Sequence, residues 1–286
     1  MKHNTILKGP TRTGVSWRPE LALAIERWPH LGLVELMAES LDAKQPIPAA
    51  IEGLHQRGVP LIPHGTSLSL GSAEPPDPHR LDHLARIAER VHAPLVSEHL
   101  AFVRGGGLET GHLLPVASSR EMLEIVVENV NMARAALPVP LALENISTLF
   151  QWPDPEMDEA DFLNELLERT DSLLLLDLEN VYANCRNFGG EPEAFLRKLP
   201  LEKVAYVHVA GGRDGKDGRY HDTHTTPIPQ PVFDLVTWLS ERIAIPGIIL
   251  ERDDYFPDQA TLHAELNRIR AAVRPTGLSV EQAHAK

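Results

Sequence analysis

Eight short apolar runs alternate with longer amphipathic segments along this chain of 286 residues. The apolar runs predict strands, and they are TGVSW (13–17), LVELMAE (33–39), PLIPHG (60–65), PLVSEHL (94–100), LALEN (141–145), LLLLDLEN (173–180), VAYVHVAG (204–211) and GIILERD (247–253). Eight strand–helix units predict an α/β fold, a single (β/α)8 TIM barrel over residues 1–273 with a C-terminal tail over 274–286. An open doubly wound sheet is the alternative, but the first strand lacks the glycine-rich phosphate turn of that fold.

The composition argues against several classes of protein. Hydrophobic residues make up 43% of the chain and charged residues 23%, which is typical of a globular domain that needs no disulfides. The single cysteine, Cys185, cannot form a disulfide within the chain, and no segment resembles a signal peptide or a membrane span. We therefore expect a soluble cytoplasmic protein. A net charge of −13 disfavours nucleic-acid partners, because it repels a phosphate backbone.

Metal-binding residue types recur where the predicted strands end, which is where TIM barrels carry their active sites. Each of the last six strands ends in a histidine or a carboxylate, and the loop after the seventh strand, YHDTH (220–224), adds more. Any one of these residues could cap a helix or form a buried hydrogen bond. Burying all of them together without compensation would cost several kcal/mol each, and bound cations are the simplest compensation.

Nine residues are the candidate metal ligands: His64, His99, Glu144, Asp177, Asn180, His208, Asp222, His224 and Glu251. Their donors are imidazole, carboxylate and amide, without a thiolate, which suits iron, manganese or zinc. One ion takes about four to six ligands, so nine predict roughly two or three ions that share bridging carboxylates. We expect Glu144 and Glu251 to be the bridges, and His221 to be solvated or to lie outside the ligand set.

Seven motifs resemble those of the multinuclear non-haem iron-dependent oxidative enzymes, the family that includes MbnB and TglH. They are PHGTS (63–67), SEHL (97–100), LEN (143–145), DLENVY (177–182), HVAGG (208–212), HDTH (221–224) and LERD (250–253). The resemblance implies a TIM barrel that holds two or three iron ions. With O₂ as co-substrate, such an enzyme modifies a residue, most often cysteine, of a ribosomally made precursor peptide, commonly with a small partner protein that presents the peptide. Among the ligands, His208, Asp222 and Glu251 are the expected catalytic residues.

Two related barrel types share much of this ligand pattern. Divalent-metal sugar isomerases and epimerases use four ligands that match Glu144, Asp177, His208 and Glu251, with one Mn²⁺. Hydrolases of the endonuclease IV type hold three zinc ions with nearly the same ligands, but they have histidine where this chain has Asn180, and the charge of −13 disfavours a DNA substrate. A barrel that only stores or senses metal is a third, non-enzymatic alternative.

Overall fold

Eight parallel strands form a closed barrel in the computed structural model, which describes residues 6–7 and 9–274. The barrel strands are β1 (Arg12–Ser16), β2 (Leu33–Met37), β3 (Leu61–Gly65), β4 (Val96–His99), β5 (Leu141–Glu144), β6 (Leu173–Asp177), β7 (Val204–Val209) and β8 (Gly247–Leu250). Each strand pairs with its neighbours in sequence, and β8 pairs with β1 to close the barrel. The TIM-barrel prediction is confirmed.

Helices cover the outside of the barrel between successive strands. They are α1 (Ala22–Arg27), α2 (Ala49–Gln56), α3 (Pro78–Arg90), α4 (Arg120–Ala136), α5 (Glu159–Thr170), α6 (Leu178–Phe188), α7 (Pro192–Leu196), α8 (Gln230–Ser240) and α9 (Gln259–Ala272). Within the described ranges, no helix combines the length and the apolar composition that a membrane span needs. The predicted boundary at residue 274 remains a prediction, because residues 275–286 of the predicted tail lie outside the described residues.

The alternation of side chains along each strand explains how a polar site forms above an apolar core. Outward-facing residues such as Val34, Leu143 and Leu176 pack in one large cluster with the helices. Inward-facing residues lower in the barrel, such as Ile62 and Ile249, form a second apolar cluster. Successive residues of a strand point to opposite faces, so the residue two positions later faces inward again, nearer the carboxyl end.

Across the barrel, these later inward positions carry polar residues. The apolar and polar members of each pair are Leu33 and Glu35, Ile62 and His64, Leu95 and Ser97, Ala142 and Glu144, Leu175 and Asp177, Tyr206 and His208, and Ile249 and Glu251. The barrel interior therefore changes from apolar to polar toward one end.

Strand β6 ends at Asp177, and α6 begins at the next residue because the Asp177 side chain accepts a hydrogen bond from the Asn180 N–H. Two antiparallel hairpins were not predicted, Phe102–Gly105 with Leu108–Leu114 and Arg213–Asp214 with Tyr220–His221. Their largely exposed strands lack the buried alternation that reveals a barrel strand.

Candidate metal centre

Three groups of ligand-type side chains converge at the carboxyl end of the barrel. Within each group, the candidate ligand atoms lie within 4.8 Å of one another. The groups are His64, His99 and Glu144; Glu144, Asp177, His208 and Glu251; and Glu179, Asp222 and His224. We call them the first, central and third groups. They bring together eight of the nine predicted ligands and add Glu179.

Glu144 joins the first and central groups. Its Oε2 atom lies 3.4 Å from Nε2 of His64 and 3.4 Å from Nε2 of His99. Its Oε1 atom lies 3.3 Å from Nδ1 of His208. One oxygen therefore faces each group, which is the arrangement expected of a bridging carboxylate.

Glu251 lies between the central and third groups, and a single oxygen makes both contacts. Its Oε2 atom lies 3.0 Å from Nδ1 of His208 and 3.7 Å from Nδ1 of His224. His224 adopts a left-handed backbone conformation with φ of 52°, which is uncommon outside glycine, and its carbonyl accepts a hydrogen bond from the Asp253 N–H. The unusual backbone at His224 is thus supported by the segment that follows β8.

The third group contains Glu179, which sequence reasoning did not select. Glu179 lies in the first turn of α6 and is fully buried, and neither of its carboxylate oxygens makes a hydrogen bond among the described residues. Nε2 of His224 lies 2.6 Å from Oδ1 of Asp222. The motif DLENVY offered a signal for Glu179, because an acidic residue within an apolar segment needs a compensating partner.

Asn180, the ninth predicted ligand, is also buried beside the centre. Its Nδ2 donates to the carbonyl of Asn145, whereas its Oδ1 makes no hydrogen bond among the described residues. The amide oxygen thus retains its lone pairs, and a ligand role for Asn180 remains a prediction.

Each of the four histidines has one ring nitrogen bonded to the protein and the other directed into the centre. The protein-facing contacts are His64 Nδ1 with Ser97 Oγ at 2.8 Å, His99 Nδ1 with the Gly65 carbonyl at 3.1 Å, His208 Nε2 with Glu35 Oε2 at 2.7 Å, and His224 Nδ1 with Asp253 Oδ2 at 3.0 Å. Metal-ligating histidines almost always have such an outer partner, which fixes the ring and its tautomer.

Hydrogen bonds do not satisfy the atoms that face the middle of the centre. Among the described residues, the buried atoms without a hydrogen bond include Glu144 Oε2, Asp177 Oδ2 and Asn180 Oδ1. Within the same part of the chain, the inner nitrogens of His208 and His224 contact only carboxylate oxygens of the centre, Glu251 Oε2 at 3.0 Å and Asp222 Oδ1 at 2.6 Å. Buried polar atoms are normally paired, so this concentration calls for an explanation. The donor set fits divalent transition-metal ions, whose charge would stabilise the carboxylates.

Two carboxylates of the centre, Asp177 and Glu179, are in surroundings that disfavour their ionised forms. Burial, and then repulsion from Glu144 and Asp222, raises the pKa of Asp177 well above its usual value. Burial, and then Asp222, likewise raises the pKa of Glu179. Both shifts mean that the ionised forms are disfavoured, which a bound cation would reverse.

The pKa values of His64 and His208 are shifted in opposite directions by their neighbours. Burial and the adjacent His99 lower the pKa of His64 to about 4, so this ring is neutral at pH 7. Burial alone would lower the pKa of His208, but Glu251, Glu35 and Glu144 outweigh it and raise that pKa well above the usual value. A cation would therefore compete with a proton at His208.

The remaining residues of the motifs have structural contacts. His221 is paired with Asp217 at 2.9 Å, away from the three groups, as expected. Asn145 exchanges two hydrogen bonds with the backbone of Asp177, and so joins the ends of β5 and β6. Arg252 is ion-paired with the buried Glu265.

A cavity of about 590 Å³ lies between the β5–α5 loop and α6. Asn145, which directly follows Glu144, and Cys185 of α6 are among its lining residues, whereas the side chains of the three groups are not. Phe150 and Trp152, two exposed aromatic residues, contribute to the same cavity. A mainly apolar cavity of this size is typical of a ligand-binding site.

Comparison with known sequences identifies one family. Residues 12–274 match the family described as "RiPP precursor modification enzyme MbnB/TglH/ChrH". A UPF0276 protein of Streptomyces avermitilis is 48% identical over 276 residues, which cover 94% of this chain and 56% of that relative, so the chain spans little more than half of its length. A UPF0276 protein of Bordetella bronchiseptica is 33% identical over 92% of this chain and 93% of its own length.

Solved structures share the barrel at low sequence identity. D-psicose 3-epimerase of Clostridium cellulolyticum H10, crystallised with D-tagatose, has a TM-score of 0.59 and 13% identity, over 93% of this chain and all of that one. An L-ribulose 3-epimerase has a TM-score of 0.57 and 16% identity, over 96% of this chain and all of the other. These likenesses concern the fold.

Proposed function

The chain belongs to the MbnB/TglH/ChrH family of RiPP precursor modification enzymes, and from this we propose that it is an iron-dependent oxidase that uses O₂ to modify a residue, most simply a cysteine, of a ribosomally synthesised peptide. The observation that carries the proposal is the arrangement of four histidines with an outer partner each and an inner nitrogen directed at shared carboxylates. This donor set suits a multinuclear iron centre.

The protein's own residues would hold the ions and keep them close together. The first and central groups would share Glu144, and the central and third groups would be linked through Glu251. Iron bound there would supply the redox chemistry by which O₂ oxidises the peptide. We propose His208, Asp222 and Glu251 as the catalytic residues. His208 and Glu251 belong to the central group and Asp222 to the third group.

We propose that the peptide enters through the cavity between the β5–α5 loop and α6. The exposed Phe150 and Trp152 line this cavity together with Asn145, the residue that follows Glu144 in the chain. Large aromatic side chains at the rim would bind apolar peptide side chains, since they bury much area at little entropic cost. A small partner protein that presents the peptide is part of the proposal.

The test combines metal analysis with a peptide assay. The protein is purified without oxygen, and its metals are measured by elemental mass spectrometry. We expect roughly two or three irons per chain. Addition of O₂ and the precursor peptide should then change the peptide mass. Iron-loaded protein that neither consumes O₂ nor modifies any cysteine-containing precursor encoded beside it would contradict the proposal.

A one-metal sugar epimerase is the second candidate. The observation that favours it is the central group, whose four residues match the ligands predicted for that class. An epimerase of this type would bind about one manganese per chain and would need neither the first nor the third group. Metal stoichiometry therefore separates the two candidates, and so does the effect of replacing His99.

A further inference from the structure

We infer that Glu35, Tyr206 and Ser97 form a hydrogen-bonded relay beneath the metal centre. This relay sets the tautomers of His64 and His208, which contact different oxygens of Glu144. The inference rests on the proposed metal centre, because its purpose is to direct a ring nitrogen of each histidine toward the ions.

The relay is a continuous series of short hydrogen bonds across the barrel interior. His64 Nδ1 lies 2.8 Å from Ser97 Oγ, and Ser97 Oγ lies 2.7 Å from the Tyr206 hydroxyl. The Tyr206 hydroxyl lies 2.6 Å from Glu35 Oε2, which also lies 2.7 Å from His208 Nε2. All five side chains are at most 1% exposed.

The direction of every hydrogen bond follows from the carboxylate at one end. We propose that Glu35 acts as a carboxylate, which can only accept, so Tyr206 and His208 both donate hydrogen bonds to it. Because the single hydrogen of the Tyr206 hydroxyl points to Glu35, this hydroxyl accepts from Ser97. The serine hydroxyl then accepts in turn from Nδ1–H of His64.

These directions place the lone pair of each neutral histidine, the form that binds a metal, on the opposite nitrogen. For His64 this is Nε2, which faces Glu144 Oε2, and for His208 it is Nδ1, which faces Glu144 Oε1. The two histidines thus use different nitrogens, and one carboxylate specifies both. Because Glu35 lies within β2 rather than at its end, a search of strand ends does not find it.

A purely structural role explains the relay poorly. Burying a carboxylate, a phenol hydroxyl and a serine in a barrel core costs free energy that apolar residues of similar size would not. Apart from Tyr206, whose hydroxyl reaches the relay, the layer directly below consists of apolar residues such as Leu33 and Ile62. Polar groups begin where the outer nitrogens of the metal-facing histidines need partners.

The test uses three nearly isosteric variants and the histidine ¹⁵N signals in NMR spectra. Glu35→Gln alters the common acceptor, whereas Tyr206→Phe and Ser97→Ala interrupt only the branch to His64. Glu39→Gln and Tyr182→Phe are the controls, because both residues lie outside the relay. The spectra distinguish protonated, lone-pair and metal-bound nitrogens, and Zn²⁺ serves as a diamagnetic probe. Melting of each metal-free variant shows whether it folds.

In wild-type protein we expect a proton on Nδ1 of His64 and Nε2 of His208 when Zn²⁺ is bound. Tyr206→Phe and Ser97→Ala should mix the tautomers of His64 while leaving His208 unchanged. Glu35→Gln should alter the tautomers of both histidines. It should also weaken Zn²⁺ binding by about 10–100-fold, which is the usual effect of replacing a residue that hydrogen-bonds to a metal ligand. The control variants should match the wild type.

Unchanged signals and affinity in folded Glu35→Gln would overturn the relay, as would equal effects of Tyr206→Phe on both histidines. The result remains separable from the proposed function. The ¹⁵N signals of His64 are also recorded in metal-free protein, where its contact with Ser97 Oγ persists and the same tautomer is expected. A wild-type protein that bound no metal would contradict the proposed function, and Nδ1 protonation of His64, lost in Tyr206→Phe, would still support the relay.

Discussion

Individual residues in this site have distinct tasks that follow from which atom faces which neighbour. Glu144 divides its two oxygens between the first and central groups, whereas His208 uses Nε2 for Glu35 and Nδ1 for the centre. Asp177 combines two tasks, since Oδ1 caps helix α6 and Oδ2 remains available for an ion. Replacement of one residue can therefore affect one group of ligands and spare the fold.

Replacing His208 with alanine tests the central group. We expect His208→Ala to lose at least one ion per chain and all activity, because the change removes the nitrogen nearest to Glu251 and leaves the carboxylates less compensated. Elemental analysis after anaerobic purification measures the loss. The matched control is His221→Ala, which should retain its metal because His221 contacts Asp217. Full metal content in His208→Ala would exclude it as a ligand.

Replacing Glu179 tests the third group separately. Glu179→Gln keeps the size of the side chain but removes its charge, so we expect the ion of the third group to bind about tenfold or more weakly. Titration with Fe²⁺ under anaerobic conditions should show one weakened site while the others persist. Glu39→Gln is the control, since Glu39 accepts a hydrogen bond from the Thr66 N–H outside the three groups. Identical titrations of Glu179→Gln and wild type would place Glu179 outside the ligand set.

The elements around the centre explain why loop residues reach it. The hairpin Arg213–Asp214 with Tyr220–His221 returns the chain toward the barrel, and Asn187 of α6 holds Tyr220 through both its backbone groups. This positions Asp222, whose Oδ2 accepts from Ser147 Oγ at 3.1 Å. Asn184 of α6 donates to the carbonyl of Ile146 and accepts from the Thr148 N–H, both of which belong to the β5–α5 loop. Both loops are thus fastened to α6.

The β5–α5 loop carries the predicted peptide contact. Trp152→Ala should raise the KM for the precursor peptide about tenfold, equivalent to roughly 1.4 kcal/mol, because an aromatic anchor is lost at the cavity rim. Metal content should not change, since Trp152 is bonded to the Pro115 carbonyl and not to the ligands. Steady-state kinetics with the peptide measure the effect, and Leu23→Ala, an exposed apolar residue on α1, is the control. Equal KM values for Trp152→Ala and wild type would show that the peptide does not bind at this cavity rim.

Across the whole molecule, the stability of the barrel depends on the charge gathered at one end. In metal-free protein the pKa values of His208 and His224 are raised well above their usual value, because nearby carboxylates outweigh burial. Burial raises the pKa of Glu98 to about 8. These groups favour the protonated state in the fold, so their stabilising contributions decrease as the pH rises toward the raised pKa values. The lowered pKa of His64 has the opposite effect, because its contribution to stability increases with pH. This increase is complete above about pH 6.5.

The pH dependence of the melting temperature follows from this balance. From about pH 7 to about pH 8.5, metal-free protein should become less stable, whereas metal binding should strengthen because the ligands must lose protons. The difference in Tm between metal-loaded and metal-free protein should therefore widen. An ion present at 100 times its Kd contributes about 2.7 kcal/mol, or roughly 5–10 °C in a chain of this size. Calorimetry at both pH values measures this difference in Tm. A difference that became smaller at the higher pH would contradict metal binding by these residues.

The sequence by itself determined the barrel and most of the site. Strand alternation and helical spacing are local properties, so eight units could be counted, and a residue at the end of a strand such as His64 or Glu144 faces the mouth by simple geometry. This is why eight of the nine predicted ligands lie in the three groups. Domain boundaries at the chain ends and the metal-binding roles of all nine residues remain predictions.

Only the tertiary structure decided which atoms meet. Glu35 and His208 are 173 positions apart, and their contact exists because barrel closure directs β2 and β7 into one interior. Glu179 joins Asp222 and His224 because α6 begins immediately after Asp177, and the hairpin before Asp222 turns back to meet it. Such contacts depend on the register of distant strands and on the path of loops, which local periodicity does not encode.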